Sequence, residues 1–233
     1  MHKLDRSIVA EPVCLAEYSY PEKTWEDFKG PCKRSVRLAL QRIQGQQIDS
    51  EDADDEAEYI LGLRCAYCEN QIFHGGHIEH FRRKNPAHFP ELTFSWTNLF
   101  LACGSIDHCG HYKDKKGTPY NPNELLKPDE HNPDDYLYFH SSGKVRVRNQ
   151  HQLPEADQRR AEETIRVFNL DCGVLRGKRK AAVDAYKQKN IDIFQELETF
   201  DPQDREEYVR QEIEDTRWEP FATAVKHFLL NLA

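Results

Sequence analysis

A cysteine- and histidine-rich stretch, Cys65 to Lys113, constrains this chain more than any other feature of its sequence. It holds four of the seven cysteines and six of the eleven histidines. Thiolate and imidazole groups are the preferred protein ligands of zinc and related metals. This concentration of ligands predicts metal chemistry, with the rest of the chain arranged around it.

Two cysteine pairs in this stretch have a spacing typical of a structural zinc site. Cys65 and Cys68 form a C-x-x-C knuckle, in which two thiolates one tight turn apart can bind one tetrahedral ion. Cys103 and Cys109 follow about 35 residues later and would close the site, provided that residues 104–108 loop out. The alternative is four unrelated buried thiols, but free cysteines rarely cluster in this way.

The remaining cysteines and the hydropathy pattern indicate a cytoplasmic protein. An odd number of cysteines with a close C-x-x-C pair favours metal ligation over disulfides, so Cys14, Cys32 and Cys172 are expected to fill the core. The sequence contains no apolar run of roughly 18 residues, and residues 1–14 lack the apolar segment of a signal peptide. We therefore expect a cytoplasmic protein with no membrane partner.

The segment His77-Ile78-Glu79-His80-Phe81 lies between the two cysteine pairs and carries the candidate catalytic groups. If it is a strand, Glu79 shares a face with His77 and lies on the opposite face from His80. A carboxylate beside an imidazole suits hydrolysis, because one binds a hard divalent cation while the other takes a proton from water. Asn98 follows and could hold the imidazole in one orientation.

Charge is distributed unevenly along the chain. The net charge of −8 is unlike that of most nucleic-acid-binding proteins, but residues 49–58 alone contain seven acidic side chains. We expect this acidic run to be either a solvated segment or a docking, nucleic-acid-mimicking one. Local fields decide phosphate binding, and basic clusters occur at 82–84, 113–116, 144–148 and 176–180.

The hydrophobic periodicity predicts an α+β protein that is mainly helical and has three parts. Residues 1–58 form an arm, a helix and the acidic segment, residues 59–118 the metal-binding core, and residues 119–233 a hairpin followed by helices. In the first two parts, the predicted elements are a helix over 33–43, strands at 71–73 and 77–81 with a turn at 75–76, a helical turn at 97–102 and a short helix from 110. In the third part, we expect a hairpin of 136–140 with 144–148 and then helices from 154. One of these is a long helix with an apolar stripe over 175–197.

Taken in order, C-x-x-C, E-H-F-R, W-x-N-L and C-G-H-Y-K-D resemble the motifs of HNH endonucleases, and of the PtuB-type nucleases of Septu and retron anti-phage systems in particular. The motif-level resemblance covers about residues 25–116, and a looser one covers most of the chain. It implies a ββα-metal core braced by a structural Zn²⁺ on Cys65, Cys68, Cys103 and Cys109. It also implies metal-dependent hydrolysis of phosphodiester bonds in DNA or RNA.

The resemblance further implies roles for individual residues. His80 would be the general base, Glu79 a ligand of the catalytic Mg²⁺ or Mn²⁺, and Asn98 the residue that orients the base. The last ligand commonly follows the final cysteine directly, where this chain has Gly110. His111 is the preferred substitute and His108 the alternative. The basic residues near the site would either touch phosphate or face solvent; they are Arg82, Arg83, Lys84 and Lys113.

The resemblance also implies partners, namely a PtuA-like ATPase of the ABC/SMC type and, in retron systems, a reverse transcriptase with its RNA–DNA product. Three other functions compete with the nuclease. A zinc deaminase would need a Pro-Cys-x-x-Cys motif, which does not follow His77-x-Glu79 here. A C2H2 finger fails on spacing. A non-catalytic zinc module that binds nucleic acid or a partner remains the main rival.

Overall fold

A computed structural model describes residues 1–47, 60–72, 76–115, 119–148 and 152–232 of the chain. Helix accounts for 48% and strand for 8%, so the predicted mixture of small sheets in a mainly helical protein is confirmed at this level. The acidic run and His74 lie outside the described residues. The elements are α1 Gly30–Gln44, β1 Gln46–Gln47, β2 Ile60–Leu61, β3 His77–His80, β4 Leu99–Ala102, α2 Cys109–Lys113, β5 Leu137–Phe139, β6 Val145–Val147, α3 Glu155–Val167, α4 Gly173–Lys189, α5 Ile191–Glu196, α6 Pro202–Asp215 and α7 Ala222–Leu229.

Helix α1 packs against strand β4 and forms one side of the site. Its apolar face recurs at helical spacing, and Val36, Leu40 and Ile43 are each less than 5% exposed. At its last position, the buried Gln44 amide accepts from the Leu101 N–H at 2.7 Å and donates to the Leu101 carbonyl at 2.9 Å. Gln44 thereby supplies β4 with the hydrogen bonds that a further strand would have made.

Strands β3 and β4 pair antiparallel, with Glu79 opposite Phe100 and His80 opposite Leu99. Two sequence expectations were therefore wrong. Gln71, in the predicted partner strand, bridges Arg64 while β3 pairs with β4; Phe73 and Gly75 of that predicted strand and turn lie outside the described residues. The segment predicted as a helical turn at 97–102 is a short 3-10 turn followed by β4. Strand β4 was not recognised because all four of its residues are apolar and buried. The alternation of apolar and polar residues that marks a half-exposed strand is therefore missing.

The predicted hairpin is confirmed as β5 and β6, with Phe139 opposite Val145. Gly143 in its turn has φ +84°, and a Cβ there would lie 1.9 Å from the Arg176 carbonyl oxygen at the start of α4. Both the left-handed backbone and the close approach therefore require glycine. The hairpin is thus fixed to the helical part of the molecule.

Helices α3 to α7 cover the other side of the core. The long helix expected over 175–197 ends at Lys189, because Asn190 leaves helical geometry and its side chain donates to the Tyr186 carbonyl at 3.0 Å. Buried apolar residues from the N-terminal arm, the cysteine-rich stretch and these helices belong to one hydrophobic core. Among the described helices, none has the length and apolar character needed to cross a bilayer.

Two cysteines expected in the core are instead disulfide-bonded. Cys14, in a 3-10 turn over Val13–Glu17, is joined to Cys32 in the first turn of α1, with their Cα atoms 5.7 Å apart. The expectation failed because cysteines 18 residues apart are brought together by tertiary contacts that their spacing does not indicate. Cys172 is a half-buried free thiol.

Candidate zinc centre and active site

The four predicted ligand sulfurs converge on one buried point. The Sγ atoms of Cys65, Cys68, Cys103 and Cys109 all lie within 4.8 Å of one another. The Cys65–Cys109 and Cys68–Cys103 sulfur pairs are 3.7 and 3.9 Å apart. Four sulfurs around Zn²⁺ at about 2.3 Å would be about 3.8 Å apart at the corners of a tetrahedron. The cluster can therefore hold a metal ion and fits structural zinc in both donor type and size.

Backbone hydrogen bonds shape the first half of this cluster. The Glu69 N–H donates to the Cys65 carbonyl at 3.1 Å, with Glu69 itself at φ +64°. The Asn70 N–H points at the Cys68 sulfur at 3.4 Å, which stabilises negative charge there. The Ala66 N–H donates to the Leu101 carbonyl at 3.1 Å, so the knuckle is fixed to β4.

The second half joins the end of β4 to the start of α2. Cys109 has φ +62°, and its N–H donates to the Phe168 carbonyl at 2.9 Å. Burial raises the pKa of the Cys68 and Cys109 thiols, whereas hydrogen bonds from Cys109 and the other two thiols lower the pKa of Cys103. Without a cation the cluster would thus favour one thiolate; a bound divalent ion would stabilise the others.

His108, the alternative ligand for the catalytic ion, belongs to the zinc side. It is only 3% exposed, and its Nδ1 lies 3.2 Å from the Cys109 sulfur and 3.6 Å from the Cys103 sulfur. His111, one turn further along α2, lines the cleft described next. The geometry therefore favours His111 over His108 as the residue able to reach a second ion.

A cleft of about 630 Å³ opens beside the cluster, lined by His77, Glu79, His80 and His111. The His111 ring stacks on that of His77, with centroids 4.3 Å apart and planes 15° apart. His77 Nε2 lies 3.1 Å from Glu79 Oε2, as expected for neighbours on one strand face. The structure thus brings together the histidines and the carboxylate that the sequence had placed in separate motifs.

Gly110 provides the space that Glu79 occupies. A Cβ on Gly110 would lie 2.3 Å from the carboxyl carbon of Glu79 and 2.4 Å from Oε2. The carboxylate is therefore seated directly on the first turn of α2, where any larger residue would displace it. Position 110 is where the expected ligand side chain is missing. It must be glycine here, because the buried Glu79 carboxylate fills the space that a side chain would need.

Lys113 was expected to contact phosphate or to face solvent, and the structure corrects both readings. Its side chain is fully buried, with the ammonium 3.0 Å from Glu79 Oε1, 2.6 Å from Asp114 Oδ1 and 3.0 Å from the His80 carbonyl. Burial opposes charge on both partners, but the Lys113 charge and the His77 hydrogen bond lower the pKa of Glu79 to about 2. The Glu79 charge conversely raises the pKa of Lys113. Lys113 is an internal counter-ion that keeps Glu79 ionised.

His80 is buried and held in one orientation. Its Nε2 lies 3.0 Å from the Thr93 carbonyl, so Nε2 carries the proton and Nδ1 keeps a free lone pair. The Trp25 ring packs edge-on against the imidazole with centroids 4.3 Å apart. Burial, with a smaller contribution from the Lys84 charge, lowers the pKa of His80 to about 3. A neutral imidazole at physiological pH has the form that a general base needs.

Asn98 supports this arrangement indirectly. Its Oδ1 accepts from the Arg82 N–H at 2.7 Å, and its Nδ2 donates to the Arg82 and Leu92 carbonyls at 3.1 and 3.0 Å. Asn98 was expected to orient the imidazole itself, but the Thr93 carbonyl makes that contact. Asn98 instead joins the backbone after His80 to the backbone before Thr93, and so fixes the two parts that hold the ring.

Of the predicted phosphate-contacting residues, only Lys84 lines the cleft. The Arg82 guanidinium donates to Asn123 Oδ1 at 2.7 Å, and Arg83 pairs with Asp114 at 3.2 Å. Sequence reasoning missed the cleft residues contributed by helix α1. Their signal was available, because basic side chains at i, i+1 and i+4 on a helix share one flank; they are Lys33, Arg34 and Arg37.

The cleft has suitable donors for a catalytic divalent ion but no preformed cage. His77 Nδ1 is buried and lacks a hydrogen-bond partner, as expected of an atom that would bind a ligand, whereas Glu79 Oε1 is already paired with the Lys113 ammonium at 3.0 Å. A carboxylate with imidazoles suits Mn²⁺, or Mg²⁺ that keeps several waters. Within the described part of the chain, however, only the four cysteines form a group of three or more ligands this close together.

The site therefore combines a four-sulfur cluster with a cleft that contains a neutral imidazole, His80, and an ionised carboxylate, Glu79. The sequence identified both groups, but it did not identify Thr93, Trp25 or the basic flank of α1. Comparison with known proteins assigns no family: no family model matches the chain, and no curated protein matches its sequence.

Proposed function

We propose that this protein is a metal-dependent nuclease of the HNH type, in which β3, β4 and α2 form a ββα-metal core braced by zinc. The observation that supports this most directly is the pair of neighbours on β3. His80 is neutral and held by the Thr93 carbonyl, while Glu79 is ionised, and both line one cleft. A base and a cation-binding carboxylate that line the same cleft are what hydrolysis of a phosphodiester requires.

In the proposed reaction, Nδ1 of His80 takes a proton from a water molecule whose oxygen attacks phosphorus. The new P–O bond forms as the bond to the leaving sugar oxygen breaks, and that oxygen takes up a proton as it leaves. Glu79, with His111 or His77 beside it, would hold Mg²⁺ or Mn²⁺. When bound, the ion would neutralise charge on the phosphate and on the leaving oxygen. Thr93 and Asn98 keep the imidazole aligned throughout.

The zinc cluster would stabilise this core mechanically. It would join the knuckle, the end of β4 and the start of α2, which are short elements from separate stretches of the chain. Because Cys109 and Gly110 are consecutive, the cluster also fixes the helix turn on which Glu79 rests. Zinc in this position would act on catalysis only through geometry.

The proposal is tested by incubating the zinc-loaded protein with labelled DNA and RNA, with and without added Mg²⁺ or Mn²⁺. We expect cleavage only with the added ion, and we expect His80→Ala to lower the rate by about 10²- to 10⁴-fold. Zinc content and the unfolding midpoint of the variant should match the wild type. An unchanged rate in His80→Ala would show that another group is the base.

The rival function, a non-catalytic zinc module that binds nucleic acid or a partner, is favoured by one contact. The Lys113 ammonium already neutralises Glu79, which a purely structural ion pair would also do. The same assay separates the two functions. A binding module would retain nucleic acid without cleaving it at any concentration of Mg²⁺ or Mn²⁺.

The resemblance noted in the sequence supports a cellular role as the effector of an anti-phage system of the Septu or retron type. Its partners would be a PtuA-like ABC/SMC-type ATPase and possible retron components, a reverse transcriptase and its RNA–DNA product, in the cytoplasm. Co-expression with the neighbouring genes, followed by affinity purification of this chain, tests the role. Recovery of the chain alone would count against it.

A further inference from the structure

Helix α1 presents a positively charged flank to the cleft that contains His80. Its apolar side is buried against the core, which leaves Lys33, Arg34 and Arg37 on the side that faces the opening. Lys84, which follows β3 and so comes from a different wall than α1, also lines the cleft. The ammonium groups of Lys33 and Lys84 lie 5.2 and 5.6 Å from the centroid of the Trp25 ring, which connects the two walls.

These four cations make few polar contacts with the rest of the described structure. Among the residues that the structure describes, none of them forms a salt bridge, whereas Arg83 is paired with Asp114. Within the described part of the chain, the hydrogen bond that this group makes runs from Arg37 to the Gly76 carbonyl at 2.5 Å. Among the described residues, no carboxylate therefore neutralises the charges of these four side chains.

The acidic groups in the cleft do not neutralise this flank. Glu79 is paired with Lys113 and His77, and Asp114 is paired with Lys113 and Arg83. The first turn of α1 contains no acidic residue and no side-chain cap, so its free N–H groups add to the positive potential. A protein of net charge −8 thus has a positive cleft beside its candidate base.

We propose that Lys33, Arg34 and Arg37 on one wall, and Lys84 on the other, bind consecutive phosphates of a polynucleotide strand. The sugar–phosphate backbone then crosses the cleft over His80, and α1 is the surface that positions the substrate. This inference rests on the proposed nuclease function for the identity of the ligand. It goes further by assigning substrate binding to a helix outside the metal-binding stretch.

The test is binding of short fluorescent DNA and RNA oligonucleotides to the full-length zinc protein without Mg²⁺ or Mn²⁺, measured by fluorescence anisotropy over a range of salt concentrations. Lys33→Gln/Arg34→Gln should weaken binding by roughly 100-fold or more, the loss expected for two charged hydrogen bonds. The slope of log affinity against log salt should fall by about 1.5. Lys84→Gln, on the other wall, should reduce the slope by about 0.8.

The matched control removes the same charge from the hairpin. Lys144→Gln/Arg146→Gln changes two exposed cations that do not line the cleft and should leave affinity and salt slope near the wild-type values. The proposal is overturned if the α1 variant binds like the wild type, or if the hairpin variant loses as much. Wild-type binding without cleavage in added metal would instead count against the nuclease function, and the α1 assignment would stand.

Discussion

At the scale of single residues, the contact between Gly110 and Glu79 explains the main departure of this chain from the HNH pattern. Because Gly110 has no side chain, there is room for the buried Glu79 carboxylate. The glycine at this position and the placement of Glu79 therefore depend on each other. Glu79 is in turn kept ionised by Lys113, three residues after Gly110 on the same short helix.

Gly110→Ala should displace Glu79. The new Cβ would lie 2.3 Å from the carboxyl carbon, so we expect a loss of about 1–3 kcal/mol in the free energy of unfolding and a clear loss of cleavage. Urea unfolding and the cleavage assay measure the two effects. Gly173→Ala is the control, because a Cβ there meets nothing within 4 Å and should be neutral or stabilising. Equal behaviour of the two variants would contradict the steric argument.

Lys113→Met should be strongly destabilising, since it leaves the buried Glu79 carboxylate without its counter-ion. We expect a cost of about 3–5 kcal/mol in the free energy of unfolding. The double variant Glu79→Gln/Lys113→Met should cost less than the sum of the two single variants, because neither charge then remains buried alone. Strict additivity in this double-mutant cycle would show that the two groups do not interact.

At the scale of elements, the four-cysteine cluster brings together segments that are far apart in the sequence. Three separate stretches of chain supply its sulfurs, and two of its backbone positions have positive φ at non-glycine residues, Glu69 and Cys109. Such conformations cost energy and persist where the surroundings enforce them. A bound metal would supply that constraint, so loss of one ligand should affect β4 and α2 together.

Cys68→Ser should remove the metal and loosen the fold. We expect less than one equivalent of zinc by elemental analysis and a lower unfolding midpoint, because metal-binding free energy contributes directly to folding. Cys172→Ser provides the comparison, since this half-buried thiol lies outside the cluster. A Cys68→Ser protein that kept full zinc and full stability would rule out the four-cysteine assignment.

At the scale of the whole molecule, one hydrophobic core and a few long-range polar contacts hold the N-terminal and C-terminal parts together. A chain of hydrogen bonds runs from the Phe139 N–H in β5 to His227 Nδ1 in α7 at 2.9 Å, and from His227 Nε2 to Asp134 at 3.1 Å. Lys226 pairs with the same carboxylate at 2.5 Å. Asp134 thus connects the segment before the hairpin to the last helix.

Asp134 should make stability depend on pH in the acid range. Burial opposes its ionisation, but hydrogen bonds from His227 and Lys226 lower its pKa from 3.8 to about 2. Its contribution is therefore complete above pH 3.8 and is lost as the pH falls toward 2. Asp134→Asn should cost about 2 kcal/mol at neutral pH, and the difference from wild type should shrink on acidification.

Urea unfolding of both proteins at several pH values measures this difference. Asp184→Asn is the control, because its carboxylate forms an exposed pair with Lys180. Removing an exposed pair should change stability by less than about 1 kcal/mol at any pH. A difference for Asp134→Asn that stays constant with pH would show that its charge is not involved.

The ligands and the two catalytic candidates on β3 could be predicted because they depend on short-range spacing. C-x-x-C places two thiolates one turn apart wherever it occurs, and H-x-E places two side chains on one face of any strand. Helix α1 and the β5–β6 hairpin followed from periodicity and turn residues in the same way. The pairing of β3 with β4 could not be predicted in this way, because a strand buried on both faces shows no alternation of apolar and polar residues.

By itself, the sequence determined which side chains can bind a metal and which can exchange a proton, since those properties belong to the residues. Only the tertiary structure decided where the charges lie: Lys113 became a buried counter-ion, Thr93 the partner of His80, and the flank of α1 the positive wall of the cleft. The physical reason is that burial and the distance between groups set the energy of a charge, and both depend on contacts between residues far apart in the chain.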